Sequence, residues 1–507
     1  MKNKLIKLDD LSNLLVKKRK EGKKIALCHG VFDLLHYGHI THLKESKKKC
    51  DVLVVSITPD EYVNKGPGRP AFNEKIRALS LAELGIIDYV TINKTSTAVN
   101  VIKKLKPNFY CKGQEYKNLG NDITREIKNE IKEVKKIKGK VIFTGGKVFS
   151  SSNLINKFNI SENNHKKQFL DLIKKELNFK KIKNIFNRIE KLKILIIGEI
   201  IIDKYVFCEA LGKSGKEPVL VLKNDKTEEF LGGAAAIARH ASSFCKNITL
   251  FSMIGEKSES YGKIKKNLPK KIKLQLLKKK NSPTILKTRF VDKNSYNKVL
   301  GVYNFNDEIL DKSQEITQNK KLKKLLPKYD LVVVSDYGHG FITKSIAKTI
   351  CSKSKFLALN AQINASNIGY HSMRNYKNID CVIINQKELE MEFRDRSTTL
   401  KNLIKKLSKL NNIKNLIVTQ GREGATLFDK KSNKFFKCGA FAKQVIDKVG
   451  AGDAFLSLAS LIMSENKNKQ LALIVGSLAA AQSTEDMGNK NQINKTNLLK
   501  TLEHILK

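Results

Sequence analysis

Short apolar runs that stop at a glycine and hand over to a helical pattern constrain this chain more than any other feature. In the first, Ile25-Ala26-Leu27-Cys28 reads as a buried strand within Lys24–Phe32, Gly30 and Gly38 punctuate the following loop, and His39 to Lys48 has a helical period. In the second, Lys193-Ile194-Leu195-Ile196-Ile197-Gly198 is a buried strand, and the turn Phe230-Leu231-Gly232-Gly233 opens an Ala-rich helix at Ala234–Ala238. In the third, Val449-Gly450-Ala451-Gly452-Asp453 follows an apolar approach (Val445, Ile446) and leads into a helix-like run from Ala454 to Met463. Strand, glycine loop and helix form the unit of parallel sheets with right-handed crossovers, and they bring backbone N–H groups to one point at a helix start. Further strands over Asp51–Ile57, Asp88–Ile92, Asn108–Cys111 and Lys140–Phe143 alternate with helical stretches. The fold class is therefore α/β.

At 507 residues the chain is too long for one ordinary core. Residues 1–160 read as one domain, 161–190 as a Lys/Asn-rich helical connector (amphipathic from Phe169 to Leu177 and on to Ile185), and 191–507 as a second domain. Residues 4–20 add an amphipathic helix through Leu5, Leu8, Leu11, Leu14 and Leu15. No stretch of 18 uncharged apolar residues occurs, and Met1-Lys2-Asn3-Lys4-Leu5 lacks the apolar core of a signal peptide, so a cytoplasmic protein without membrane partners is expected. The eight cysteines are scattered, form no C-x-x-C pair, and read as reduced thiols. The net charge of +47 is carried mostly by lysines spread over both halves, with no Arg-rich arm and no basic patch interleaved with aromatics. It reads as a solvated, compositionally biased surface that attracts small anionic substrates rather than as a nucleic-acid interface.

The chemistry lies at the glycine loops. Gly450, Ala451 and Gly452 form a candidate anion hole, with Asp453 placed to take a proton from an attacking hydroxyl; a Gly-rich turn capped by Asp is the plainer alternative. In the N-terminal segment, His36 and His39 stand three apart at a helix start, with Gly38 between them. Two imidazoles so placed can bind one polyphosphate and stabilise charge on departing pyrophosphate, while Gly38 lets a nucleotide lie close to the backbone. A surface pair or a metal site is the alternative, and a metal site lacks a third nearby ligand.

The run Gly30-Val31-Phe32-Asp33-Leu34-Leu35-His36-Tyr37-Gly38-His39 resembles the G-x-F-D-x-x-H-x-G-H signature of cytidylyltransferase-like members of the HxGH nucleotidyltransferases. The resemblance implies a Rossmann-like domain binding ATP or CTP through Gly30, Phe32, Asp33, Gly38 and Arg77, the last on a helix opened by Asn73-Glu74-Lys75-Ile76. His36 and His39 would be catalytic. Ser150, Ser151 and Ser152 resemble the family's final Ser/Thr-rich turn and would hold β- and γ-phosphates, although a helix N-cap explains them equally. Lys112 opens Lys112-Gly113-Gln114-Glu115-Tyr116, which resembles a motif of nucleotidyltransferases acting on heptose and glycerol phosphates, and would contact substrate phosphate; an exposed lysine is the alternative.

From about residue 191 on, the strand leading to Asp203, the Gly232-Gly233 turn, Asn385-Gln386-Lys387-Glu388, Thr419-Gln420-Gly421 with Gly424, and Gly450–Asp453 follow the order and spacing of the ribokinase-like (PfkB) carbohydrate kinases. The resemblance implies that Asp203 binds sugar hydroxyls beside Gly232 and Gly233. It implies that Asn385 and Glu388 organise Mg²⁺ through water, and that Thr419 and Gly421 lie beside ATP. Gly450, Ala451 and Gly452 would form the anion hole, with Asp453 as base. Thr284–Val291 and Lys298–Tyr303 would pair as a β-lid, and a homodimer through that lid follows by analogy.

The pairing of domains resembles the bifunctional heptose-phosphate kinases and heptose-1-phosphate nucleotidyltransferases of lipopolysaccharide precursor synthesis, with the two domains in reversed order. The implied function is a sugar-phosphate kinase and sugar-1-phosphate nucleotidyltransferase that makes an ADP-heptose-like NDP-sugar. Several residues depart from the pattern. Ala235 and Ala236 stand where the family has a sugar-reading Asn, Leu359-Asn360-Ala361-Gln362 replaces I-D-P-K, and His339 replaces the Lys of S-D-Y-x-K-G. The alternative they raise is an active nucleotidyltransferase joined to a kinase fold that only binds sugar or dimerises. A third reading, RNA binding of the tRNA-synthetase kind, finds no K-M-S-K-S-like loop in the chain.

Overall fold

The computed structural model describes residues 4–63, 70–116, 126–144, 169–170, 173–174, 176–364, 366–368, 370–442, 445–465 and 467–506. The chain forms two compact units, Met1–Glu162 with Thr496–Lys507, and Asn163–Lys495.

The first unit is a five-stranded sheet of β1 (Ile25–Gly30), β2 (Val52–Ile57), β3 (Tyr89–Ile92), β4 (Phe109–Gly113) and β5 (Lys140–Thr144), in the order β3-β2-β1-β4-β5. Every pairing is parallel, as the strand–helix alternation predicts. Side chains of β1 alternate between two cores. Ile25 and Leu27 join Leu8, Leu11 and Leu15 of the first helix (Leu8–Lys20), whereas Ala26 and Cys28 join Leu43, Ala78 and Leu81 on the other face. Burial on both faces is what a parallel sheet covered by helices requires. The strand order reverses between β1 and β4, so the crevice for a ligand opens at their carboxyl ends.

The second unit is built on a nine-stranded sheet. Its strands are β6 (Lys193–Gly198), β9 (Asn247–Gly255), β10 (Ile272–Lys279), β13 (Leu331–Asp336), β14 (Leu357–Ala361), β15 (Cys381–Asn385), β16 (Asn415–Thr419), β17 (Ala425–Asp429) and β18 (Lys434–Cys438). The order is β10-β9-β6-β13-β14-β15-β16-β17-β18, parallel up to β16 and antiparallel after it. The carboxyl ends of β6, β13, β14, β15 and β16 therefore share one edge. A second sheet consists of β7 (Ile200–Lys213), β8 (Leu220–Gly233), β11 (Leu286–Asp292) and β12 (Lys298–Asn304), in the order β12-β11-β7-β8. The β11–β12 hairpin is the expected lid pairing; the long β7–β8 hairpin that completes the lid had no counterpart in the sequence reading. Within the connector, the helix Phe179–Ile189 is capped by Asn178, whose side chain accepts from the Lys181 amide. No helix among the described residues is long and apolar enough to cross a membrane.

Candidate active sites

In the first unit the crevice is lined from β1 outward. Gly30 ends β1, and a Cβ there would come within 3.2 Å of the Phe32 ring, so the glycine lets the chain fold back on itself. Phe32 takes φ 49°, a left-handed conformation uncommon outside glycine, and its buried ring lies 5.2 Å from that of His39. His36 is the N-cap of the helix Tyr37–Lys47, with Gly38 in its first turn. The His36 and His39 rings stack with centroids 3.9 Å apart and an interplanar angle of 21°. The expected pair thus stands together at a helix N-terminus, over the carboxyl end of the central strand.

Two residues expected at the nucleotide bond to the protein itself through their side chains. The Arg77 side chain is completely buried: Nε donates to the Phe72 carbonyl, Nη1 to the Val31 carbonyl, and Nη2 to the Thr58 carbonyl and the Asp60 carboxylate. A guanidinium enclosed this way braces the loop after β1, with four of its five N–H donors bonded to the protein itself. Asp33, also buried, accepts from the Ala71 and Phe72 amides and anchors the turn ahead of the helix Glu74–Ala82. Ser150, Ser151 and Ser152 lie outside the described residues.

Lys112, on β4 beside β1, extends the crevice. It pairs with Glu130 at 3.1 Å and lies 5.2 Å from the Tyr110 and Tyr116 ring centroids. Glu130 is buried and also accepts from Tyr110 Oη at 2.8 Å and the Ala98 amide at 3.1 Å. Burial pushes its carboxyl up, but Lys112, His29 and these hydrogen bonds outweigh that and hold it below the ordinary glutamate value. The sequence reading missed Glu130, which lies on a solvent-patterned helix (Glu126–Lys136) with nothing to mark its partner. His29 and His42 are also drawn in; burial, then the Lys112 charge, lowers each to about 4, so both are neutral imidazoles at physiological pH. His42 Nδ1 lies 2.6 Å from Thr144 Oγ1 at the end of β5.

In the second unit the site follows the shared carboxyl edge. Gly450 takes φ 88°, and a Cβ there would sit 2.0 Å from Asn489 Oδ1; Ala451, Gly452 and Asp453 form the first turn of the helix Ala451–Glu465. Gly452 is exposed with open space around it, so the helix N-terminus presents its dipole and amides without a side chain in the way. Tyr337 Oη, from the loop after β13, donates to Asp453 Oδ1 at 2.6 Å. Burial pushes the Asp453 carboxyl up to about 7; the Tyr337 hydroxyl and Lys287 oppose the rise and the Asp203 charge adds to it. A base of that pKa suits proton removal near neutrality.

Asp203 on β7 is buried and pairs with Arg289 of β11. Gly232 lies against it, and a Cβ at Gly232 would fall 2.1 Å from Asp203 Oδ2. Gly233 takes φ 59°, 2.4 Å by the same measure from the Glu199 carbonyl. The two glycines therefore make room for a carboxylate and a carbonyl of the site's own wall. Ala235 and Ala236 are fully buried and offer no polar group from that turn.

Two cations of the lid were not expected. Lys287, in register with Asp203 on the neighbouring strand, is 8% exposed; its ammonium lies 5.7 Å from the Tyr303 ring centroid and 6.0 Å from that of Tyr337. Among the described residues it has no ion-pair partner, and burial lowers it below the ordinary lysine value. Arg289 lies over Tyr205 and Tyr303 at 5.6 and 5.8 Å. The signal in the sequence was the alternation Lys287-Thr288-Arg289, which puts both cations on one face of a strand.

At the carboxyl ends of the next two strands, Asn385 ends β15 in register with Thr419, which ends β16. Asn385 and Glu388 form a reciprocal capping box: Asn385 Oδ1 accepts from the Glu388 amide and Glu388 Oε2 accepts from the Asn385 amide, both at 2.8 Å. Burial pushes Glu388 up to about 7. Gly421 takes φ 59° in open space beyond Thr419. Among the described residues no group of three or more His, Cys, Asp or Glu side chains is arranged to hold a metal ion. His339 is buried with Nδ1 2.5 Å from Asp307 Oδ1, and Asn360 donates to the Ile383 carbonyl at 2.8 Å. Both departures from the motif pattern thus form wall contacts of their own.

With this geometry in view, the comparisons with known proteins decide the family. Residues 191–496 match the family described as pfkB family carbohydrate kinase. The chain belongs to the pfkB family of carbohydrate kinases. Residues 27–161 match the cytidylyltransferase-like family. Among curated relatives, the protein named bifunctional protein HldE of a Nitratiruptor species is 27% identical over 296 residues, 57% of this chain and 61% of the relative. A protein of the same name from Desulfatibacillum aliphaticivorans is 41% identical over 133 residues, 25% of this chain and 27% of the relative. The chain therefore spans less than two thirds of the length of these relatives. Escherichia coli phosphofructokinase-2 in complex with potassium shares the fold at 14% identity, with a TM-score of 0.50 over 60% of this chain and 97% of that one. The pfkB-family fold expected from the five ordered motifs is the fold observed.

Proposed function

We propose that the chain carries two transferase activities, a carbohydrate kinase in its pfkB-family unit and a nucleotidyltransferase in its cytidylyltransferase-like unit, which together make an NDP-sugar of the ADP-heptose kind. The carrying observation is Asp453, held by Tyr337 at a helix N-terminus with its carboxyl pushed up to about 7 and facing the Asp203–Arg289 wall. In the kinase half, Asp453 takes the proton of the acceptor hydroxyl as it attacks the γ-phosphorus in line. The amides around Gly450–Gly452 stabilise the charge on the moving phosphoryl group. Asp203 accepts from sugar hydroxyls. Lys287 needs an anion to offset its burial, which favours an acceptor that already carries a phosphate. Mg²⁺, when bound with ATP, neutralises phosphate charge; Asn385 and Glu388 would hold it through water, as suits an ion that keeps most of its hydration. In the nucleotidyl half, the phosphate of a sugar 1-phosphate attacks the α-phosphorus of ATP or CTP, while His36 and His39 stabilise the departing pyrophosphate and Lys112 holds the sugar phosphate. Arg77 and Asp33 act as positioning residues that brace the loop.

The alternative, a kinase fold that only binds, is weakened by the intact pairing of base, anion turn and cationic acceptor wall. The test is phosphoryl transfer from ATP·Mg²⁺ to a panel of pentose, hexose and heptose phosphates, with Asp453→Asn alongside. Turnover lost in the variant supports the kinase; no turnover with any acceptor, with pyrophosphate still released from a supplied sugar 1-phosphate, leaves only the nucleotidyltransferase.

A further inference from the structure

Asp447 stands two residues before the turn that opens the phosphate site and has no role in the chemistry above. It is 4% exposed and its two oxygens are shared between two parts of the unit. Oδ1 accepts from Lys298 Nζ at 2.5 Å and from the Val449 amide at 3.1 Å. Oδ2 accepts from Tyr205 Oη at 2.9 Å and from the Gly488 amide at 3.1 Å. Lys298 begins β12 and Tyr205 lies in β7, so each oxygen takes one bond from the lid sheet. Val449 and Gly488 flank Gly450 on both sides, Val449 as its chain neighbour and Gly488 through Asn489, whose side chain packs against the Gly450 Cα. Gly488 itself, at φ 58°, lies against the Tyr205 ring. One buried carboxylate thus joins two lid strands to the two segments that shape the anion hole.

We infer that Lys298 is a positioning residue: its ammonium on Asp447 latches the lid to the Gly450 turn, so that lid position and phosphate-site order rise and fall together. A lid that lifts β12 away strands a buried carboxylate without its cation, which is costly, and the amides held by that carboxylate loosen with it. By linkage the coupling is reciprocal: an acceptor under the lid favours the ordered turn, and a nucleotide on the turn favours the closed lid. The Lys298 side chain is 36% exposed, so its replacement leaves the core intact.

The latch is testable without any activity. Hydrogen exchange of the full chain is compared for wild type, Lys298→Ala and Lys298→Arg. The expected result is faster exchange at the Val449–Asp453 amides in Lys298→Ala, roughly 10-fold for a pair with one partner partly in solvent, restored in Lys298→Arg. Added ethylammonium, a small cation able to replace the lost one, should restore protection in Lys298→Ala. Exchange that rises only in β12 and leaves the turn unchanged would overturn the inference. The kinetic arm rests on the kinase reading and uses the sugar phosphate that the wild type turns over fastest. There Lys298→Ala should lower kcat with little change in KM for ATP, because the anion hole acts on the transition state; a KM effect alone would also overturn it. If the exchange result holds and the wild type turns over no sugar phosphate, the latch stands and the kinase reading falls.

Discussion

Replacing Tyr337 by phenylalanine removes one hydroxyl and leaves a buried ring of nearly the same shape. That hydroxyl donates to Asp453 Oδ1 at 2.6 Å, and the bond favours the ionised carboxylate. A hydrogen bond to a charged group contributes about 1.5–3 kcal/mol, which converts to roughly 1–2 pKa units. From a starting value of about 7 the base therefore moves to roughly 8–9. At pH 7 the ionised fraction falls from about one half to between about a tenth and a hundredth, so the kinase rate falls roughly 5- to 50-fold. The sign is fixed by the role: a base works deprotonated, so the acid limb of kcat/KM moves to higher pH and the rate recovers as pH rises. The assay is kcat/KM for phosphoryl transfer between about pH 5.5 and about 9.5, wild type against Tyr337→Phe, bracketing those values. An acid limb that stays in place, or a loss equal at every pH, would refute the assignment of Asp453 as the titrating base and of Tyr337 as the group that tunes it.

Three further outcomes are expected. Asp453→Asn should raise Tm relative to wild type, with a gain that widens from about pH 4 to pH 7 and then levels off: the folded carboxyl is raised above its unfolded value, so ionising it costs folding stability across that window, and thermal melts at several pH values check this. Lys287→Met should raise KM for a phosphorylated acceptor by roughly 10- to 100-fold while changing KM for ATP little, as expected for loss of one charge-assisted contact; a parallel loss on unphosphorylated sugars would point to a packing defect instead. Gly232→Ala should abolish acceptor binding in calorimetry and leave ATP binding in place, since the added methyl collides with the Asp203 carboxylate and not with the anion turn.

Motifs that depend on backbone geometry were legible in the sequence. Gly30, Gly233, Gly421 and Gly450 fall at turns or strand ends that need close approach or positive φ, and the N-terminal strands carry apolar runs, so the five-stranded parallel sheet could be drawn from pattern, whereas of the nine-stranded sheet only its first strand, Lys193–Gly198, was read as one. The β7–β8 hairpin was not legible beyond its buried start, because its outer half, Glu209–Lys226, is largely exposed and mixes charged residues with the apolar run Val219–Leu222 without alternation; it is held by pairing to its partner strand rather than by a core. Side-chain roles set by tertiary contacts were also hidden. Arg77 was placed at the nucleotide by resemblance to the family's Arg-bearing helix, and nothing local shows that three carbonyls and Asp60 surround it. Asn385 and Glu388 illustrate a double reading: their spacing satisfies a capping box in full, so the motif keeps a structural reason to exist beside any role with a metal. Lys287, Arg289 and Glu130 needed the fold, since their partners lie on other strands or helices.

The central claim is that one chain holds two separate transferase sites. The measurement that tests it most directly is a crossed assay: ATP-dependent phosphorylation of the acceptor sugar phosphate and pyrophosphate release from a supplied sugar 1-phosphate, each run on wild type, Asp453→Asn and His39→Ala. The account predicts that Asp453→Asn loses only the first activity, and that His39→Ala loses only the second, by roughly 10²–10³-fold as for removal of a group that stabilises transition-state charge. Loss of both activities in either variant, or of neither in both, would contradict it.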